Sequence, residues 1–179
     1  MKIMYYIAVL PPEDIRSEIK VFKEEVLQDF GSGHALRSPA HITLQMPFHF
    51  EEAQESQLIT ALASLAKSHH NFSCTAEGLG HFGDRTIFIA INPNTTLNNL
   101  RINLQVMLRE TFGFGDKKLP QRFHPHITIA NRDLTPERFP ACWDAFRDRT
   151  YTRDFGITGI ALLKHRGDHW EVYREFPFN

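Results

Sequence analysis

The chain has 179 residues, 42% apolar and 23% charged, an ordinary composition for a globular protein of one domain or two small lobes sharing a core. Its net charge of −1 excludes a general polyanion binder, so any nucleic-acid ligand must be held locally, as a strand end or a small nucleotide. Two cysteines, Cys74 and Cys142, set neither a disulfide framework nor a metal-ligand spacing; they fit a reducing cytoplasm, although they could still pair.

Residues 4–10 read as a strand, rich in aromatic and β-branched side chains and stopped by Pro11-Pro12. This apolar run is short for a signal sequence, and no stretch approaches the ~20 apolar residues of a membrane span. The expectation is a soluble, cytoplasmic protein without membrane association. Ile15, Ile19, Phe22, Val26 and Phe30 recur at three or four, which predicts a helix over 13–30 ended by Gly31-Ser32-Gly33. A strand over 41–48 and a helix over 51–68 follow. Alternation at Phe72, Cys74 and Ala76 predicts a strand over 72–79, with a turn at 80–84 and a hairpin partner over 86–91.

The order then recurs. A helix over 97–112 precedes a loop over 113–118, a strand over 123–130 and a helix from Pro136 to about Arg147. Thr135 is its expected cap, and Pro140 either kinks it or delays its start. Strands over 157–164 and 170–176 close the chain. Tyr6-Ile7-Ala8-Val9 is echoed by Phe88-Ile89-Ala90-Ile91, and Gly78-Leu79 by Gly159-Ile160, at similar offsets. These echoes point to an internal duplication, with pseudo-repeats of approximately 1–80 and 81–179. No Pro-, Gly- or Ser-rich linker separates them, so one domain over 1–179 is expected, its two lobes packed about a pseudo-twofold axis.

The clearest echo is the tripeptide His-Ile-Thr, at His41-Ile42-Thr43 and again at His126-Ile127-Thr128. With 10 histidines in the chain, shuffling would give roughly 0.05 copies. Side chains alternate along a strand, so His41 and Thr43 share one face while Ile42 and Leu44 enter a core; His126 and Thr128 stand likewise against Ile127 and Ile129. Pseudo-symmetry would set the two polar faces across one cleft. Two imidazoles titrating near neutrality can supply one proton acceptor and one donor, and two hydroxyls can hold non-bridging oxygens. Such a pair suits phosphoryl transfer without a metal, because in-line displacement wants the two groups on opposite sides of phosphorus.

On these motifs the chain resembles the 2H phosphoesterase superfamily, whose mark is His-x-Thr/Ser followed by a hydrophobic residue, once per lobe. Within it the chain is most similar to the bacterial 2′-5′ RNA ligase and cyclic phosphodiesterase group. The resemblance implies an α+β bilobal fold with antiparallel sheets around a cleft. It implies His41 and His126 as the catalytic pair, and Thr43 and Thr128 as phosphate ligands. The implied substrate is an RNA terminus or small cyclic nucleotide, opened at a 2′,3′-cyclic phosphate to leave a 2′-phosphate, or joined in reverse through a 2′-5′ linkage. No cofactor, metal or obligate protein partner is implied. Pro125 supplies the proline that commonly precedes the histidine, whereas Ala40 precedes His41. Asn131, followed by Arg132, stands where relatives often carry an arginine; Gln45-Met46-Pro47-Phe48 replaces a Gly-containing segment of ligase-like members.

Other features read more plainly. His124 shares a face with His126, but no acidic or cysteine partner stands at ligand spacing, so metal-dependent hydrolysis ranks below acid–base chemistry. His69-His70 reads as a solvated helix end. His49 is placed on one face with His41, Thr43 and Gln45, where it could line the cleft. Lys117-Lys118 with Arg122, and Lys164-His165-Arg166, read as solvated basic clusters that could touch RNA. Tyr5, Phe82 and Phe123 could stack a base, though core packing is the simpler reading. The competing function is a binding module for RNA ends or nucleotides that keeps the fold without turnover.

Overall fold

The computed structural model describes residues 1–115 and 122–179. Lys117-Lys118 and the later part of the 113–118 loop lie outside them. The order of elements is β1 (Lys2–Val9), α1 (Glu13–Phe30), a 3₁₀ turn (His34–Arg37), β2 (Ile42–Glu51), α2 (Glu55–Lys67), β3 (Phe72–Phe82), β4 (Thr86–Ile91), α3 (Thr95–Phe112), β5 (His126–Ala130), α4 (Phe139–Phe146), β6 (Thr152–Ile157), β7 (Gly159–His165) and β8 (Trp170–Pro177). A second short 3₁₀ turn (Glu52–Gln54) leads into α2.

The strands form two four-stranded antiparallel sheets, ordered β2-β1-β7-β8 and β5-β4-β3-β6. Position by position the second repeats the first, with β5 for β2 and β4 for β1. Each sheet nevertheless draws on both halves of the chain: β3 from the first half pairs with β4, and β7 from the second pairs with β1. This exchange makes one domain of the two lobes and gives them one principal core. The helices exchange too, since α1 touches β5 and α3 touches β2.

Local chemistry explains the elements. α1 buries Ile15, Ile19 and Val26 on one stripe and stops at Gly31, whose φ of 68° lets its N–H reach the Leu27 carbonyl. α3 is capped by Asn94, whose side chain accepts from Leu97 N at 2.9 Å. Complete burial of Leu58, Leu62, Leu97, Leu100 and Leu104 contributes about 2–3 kcal/mol each to the favourable side of folding. No helix among the described residues is long and apolar enough to cross a membrane.

Several boundaries differ from expectation. The helix expected from Pro136 begins at Phe139, because residues 136–138 form a turn in which the Thr135 carbonyl accepts from Arg138 and Phe139 N–H; Pro140 then sits in the first helical turn, where no N–H is needed. β3 extends through Gly80-His81-Phe82 and turns only at 83–85. The expected strand over 157–164 is β7, which begins at Gly159; Ile157 instead ends β6 (Thr152–Ile157), a strand of the other sheet that the sequence pattern did not show. The two cysteines are buried and unpaired.

Candidate active site

Each His-Ile-Thr copy lies at the edge of its sheet: His126 opens β5, and His41 immediately precedes β2, which carries Ile42 and Thr43. Thr43 stands opposite Ala8 of β1, Thr128 opposite Phe88 of β4, and His126 opposite Ala90. Ala8 and Ala90 are the echoed alanines, and their small side chains leave the polar faces uncovered. Ile42, Leu44, Ile127 and Ile129 are buried on the other side, while both histidines and both threonines are half-buried. Among the described residues neither threonine side chain makes a hydrogen bond, so both hydroxyls are available. The two motifs are brought near one another: β2 meets β5, and His126 is close enough that a positive charge on it disfavours one on His41.

The two imidazoles are held alike. His41 Nδ1 donates to the Pro39 carbonyl at 2.7 Å, and His126 Nδ1 donates to the His124 carbonyl at 2.8 Å. Each bond selects the tautomer that leaves Nε2 as the working atom. An aromatic ring lies against each: Tyr6 at 4.8 Å from His41 and Phe88 at 5.0 Å from His126, centroid to centroid. Burial of His41 pulls its pKa down from 6.5 to about 4, with the Lys23 ammonium and His126 adding to the effect against the Pro39 bond. Burial lowers His126 as well, opposed by its bond to the His124 carbonyl.

Surroundings distinguish the two halves. Beside His41, the Tyr6 and Ser38 hydroxyls bond each other and stand 3.3 Å from Nδ1. Trp170 packs edge-on against Tyr6 at 4.6 Å and His165 at 4.8 Å. Beside His126, Phe82 is 40% exposed, with its ring 5.0 Å from the imidazole and 4.4 Å from Phe88. Of the aromatics considered for base stacking, Phe82 is thus exposed beside His126, Tyr5 is buried, and Phe123 lies under Arg101. Gly80 carries the Phe88 ring directly on its backbone, since a Cβ there would lie 2.7 Å from Phe88 Cε2. Lys23 stands in the apolar stripe of α1, 3% exposed, and donates to the Ala35 and Ser38 carbonyls at 3.0 and 2.9 Å. It holds the segment that delivers His41. The Tyr6/Phe88 echo signalled the rings; nothing local signalled Lys23 or Ser38.

Some expectations fail here. Gln45 does not share the His41 face, because register shifts between β1 and β2 turn it inward, opposite Ile7, where Gln105 donates to its side-chain oxygen at 2.9 Å. His49 is exposed, opposite Met4 at the far end of the pair. Lys164-His165-Arg166 is not a solvated cluster: Lys164 is buried against Glu55 at 2.6 Å, His165 packs on Trp170, and Arg166 pairs with Glu171. Arg132 has left β5 with a left-handed φ of 50°, so strand alternation does not set its direction; it lies close enough to His34 to disfavour protonation there. His69 bonds the Leu65 carbonyl at the end of α2, a terminal role. Among the described residues no group of three or more His, Cys, Asp or Glu side chains could hold a metal ion.

A two-sheet α+β fold with one imidazole–hydroxyl pair at the edge of each sheet is the arrangement of the 2H phosphoesterase class. Residues 11–169 match the 2′-5′ RNA ligase superfamily, and the chain belongs to that family. It is 32% identical over 143 residues to the RNA 2′,3′-cyclic phosphodiesterase of Bacillus subtilis (strain 168), covering 76% of this chain and 75% of that one. Two solved structures share the fold at lower identity. TT0787 of Thermus thermophilus superposes with a TM-score of 0.69 at 20% identity, covering 97% of both chains. Escherichia coli LigT, solved with 3′-AMP, gives 0.67 at 17%, covering 100% of this chain and 99% of that one.

Proposed function

We propose that this phosphoesterase opens 2′,3′-cyclic phosphates at RNA ends or in small nucleotides, with His41 and His126 as the acid–base pair and Thr43 and Thr128 on the phosphate. The observation that carries this reading is the matched pair of imidazoles, each tied at Nδ1 to a carbonyl two residues back and each accompanied by an available hydroxyl. A binding module has no need of two such tethers. The activity named for the Bacillus subtilis relative and the nucleotide in Escherichia coli LigT support the same substrate class.

His41, with its pKa near 4 and Lys23 behind it, is neutral at physiological pH and serves as the base. Its Nε2 takes a proton from water as the water oxygen bonds to phosphorus. The P–O3′ bond breaks, and His126 gives its Nε2 proton to O3′, leaving a 2′-phosphate. The anionic substrate raises the pKa of His126 by direct attraction and so favours its protonated form on binding. Thr43 and Thr128 donate to the non-bridging oxygens as their charge grows. With a 5′-hydroxyl in place of water the same steps form a 2′-5′ linkage: the 5′ oxygen bonds to phosphorus as His41 takes its proton, the P–O3′ bond breaks, and His126 protonates O3′.

The test is turnover of a 2′,3′-cyclic nucleotide with product identified by phosphorus NMR. A 2′-phosphate is expected, with His41→Ala and His126→Ala each losing about 10²–10⁴-fold or more in kcat. Tight binding of the cyclic nucleotide without product would support the binding-module reading instead.

A further inference from the structure

Behind the segment that delivers His41 lies a second cavity, of about 290 Å³, between the first turns of α1 and residues 36–40. Arg16, Lys20 and Lys23 line it with Ser17 and Ser38, against one carboxylate, Glu13. Lys20 spends part of its charge on Glu24 at 3.6 Å, on the exposed side of the helix. The other two cations have no carboxylate among the described residues. Among the described residues Lys23 donates only to two backbone carbonyls, and burial pulls its ammonium down to about 8. Arg16 Nε is buried with no acceptor among the described residues.

Such an arrangement is costly. Buried cationic donors are ordinarily paired, and an unmet one costs about 1–3 kcal/mol or more. The wall has donors and surplus positive charge but lacks an acceptor of matching charge. A carboxylate would meet one donor group. A tetrahedral dianion can accept from Arg16 and Lys20 on the helix side and from the Ser17 or Ser38 hydroxyl at once.

We propose that this cavity is a second oxyanion site, separate from the cleft, that takes a phosphate dianion, either free or as the monoester of a nucleotide. It requires no catalytic role for His41. Its wall, Ser38-Pro39-Ala40, runs directly into His41 and includes the carbonyl that holds that ring, so an anion there bears on the position of the imidazole.

Calorimetric titration of the full chain with inorganic phosphate tests this. Two phosphates per chain are expected. Arg16→Met should weaken one of them at least tenfold and Lys20→Met several-fold, Arg16→Lys should restore part of it, and the double variant Thr43→Val/Thr128→Val should remove the other. Unchanged thermal melting of the exposed-side variant Lys20→Met guards against misfolding. Competition by 5′-AMP at the Arg16-dependent site identifies a nucleotide monoester as the ligand; absence of competition identifies free phosphate. Two results overturn the site: both phosphates unaffected by Arg16→Met and Lys20→Met, or a single phosphate lost in the threonine double variant. Loss of only the threonine-dependent phosphate from the wild-type count would instead count against the cleft reading.

Discussion

His41 and His126 make the same bond from opposite sheets: each Nδ1–H donates to the carbonyl of the residue two positions earlier, Pro39 at 2.7 Å and His124 at 2.8 Å. The bond costs each ring one nitrogen and frees the other in a known direction. Under the proposed reading their surroundings divide the labour: Lys23 disfavours a second positive charge beside His41 and His124 one beside His126, and burial takes His41 down to about 4. A base must act on water whatever the leaving group, whereas an acid is dispensable when the leaving group is already a good one. With a p-nitrophenyl phosphodiester, His126→Ala should regain most of the roughly 10²–10⁴-fold it loses on a cyclic nucleotide, and His41→Ala should not. Equal rescue of both variants would mean that the roles are not divided this way.

The depressed His41 pKa also bears on stability. Unfolding releases the ring to its ordinary value of 6.5, from about 4 when folded. Below 6.5 the unfolded state binds the extra proton, so stability falls as pH drops from about 6.5 towards 4 and is fully present above. Urea midpoints measured across that window should decline for the wild type. His41→Asn should flatten the decline, and an equal slope in the variant would assign the proton to another group.

How much of this was readable beforehand follows from the range of each interaction. The duplicated His-Ile-Thr faces were legible because side-chain alternation over three residues is local, and Ile42, Leu44, Ile127 and Ile129 are buried as it requires. The Tyr6/Phe88 echo was visible too, but its meaning as a ring beneath each histidine depends on pairing β1 with β2 and β4 with β5. Gln45 went astray because a register shift is set by the partner strand and not by the residue itself. The exchange of β3 and β7 between sheets is equally non-local. Lys23 occupies an apolar position in the α1 stripe, and only the carbonyls of Ala35 and Ser38 explain a cation there.

Glu55 anchors the far side of the first sheet. It accepts from Lys164 at 2.6 Å, from Tyr173 at 2.6 Å and from Tyr5. Burial alone would raise its pKa, but these donors hold it at about 2. Its contribution is present above the usual carboxylate range near 4.5 and lost as pH falls towards 2. Glu55→Gln strands the buried Lys164 ammonium and should cost about 3–5 kcal/mol in chemical denaturation. The pair Glu55→Leu/Lys164→Met removes both charges and should recover most of that loss; additive losses would show that the two residues act independently.

Gly80 is where backbone geometry reaches the candidate chemistry. Phe88 stands opposite Gly80 in the β3–β4 pair and opposite Thr128 in the β4–β5 pair, so its ring spans from the glycine to the second motif. A methyl group at position 80 would come within 2.7 Å of Phe88 Cε2 and 2.8 Å of Cζ, closer than any real contact allows. The ring must tilt, and His126 rests against it at 5.0 Å. Overpacking of this kind costs about 1–3 kcal/mol, and a displacement near 1 Å at a catalytic group costs up to about 10²-fold in rate. Gly80→Ala should therefore lower kcat on a cyclic nucleotide by ten- to a hundredfold, with KM changed far less. Phe88→Leu in the same background relieves the clash and should recover part of kcat. Wild-type kcat in Gly80→Ala, with the protein folded, would remove Phe88 from any part in positioning His126.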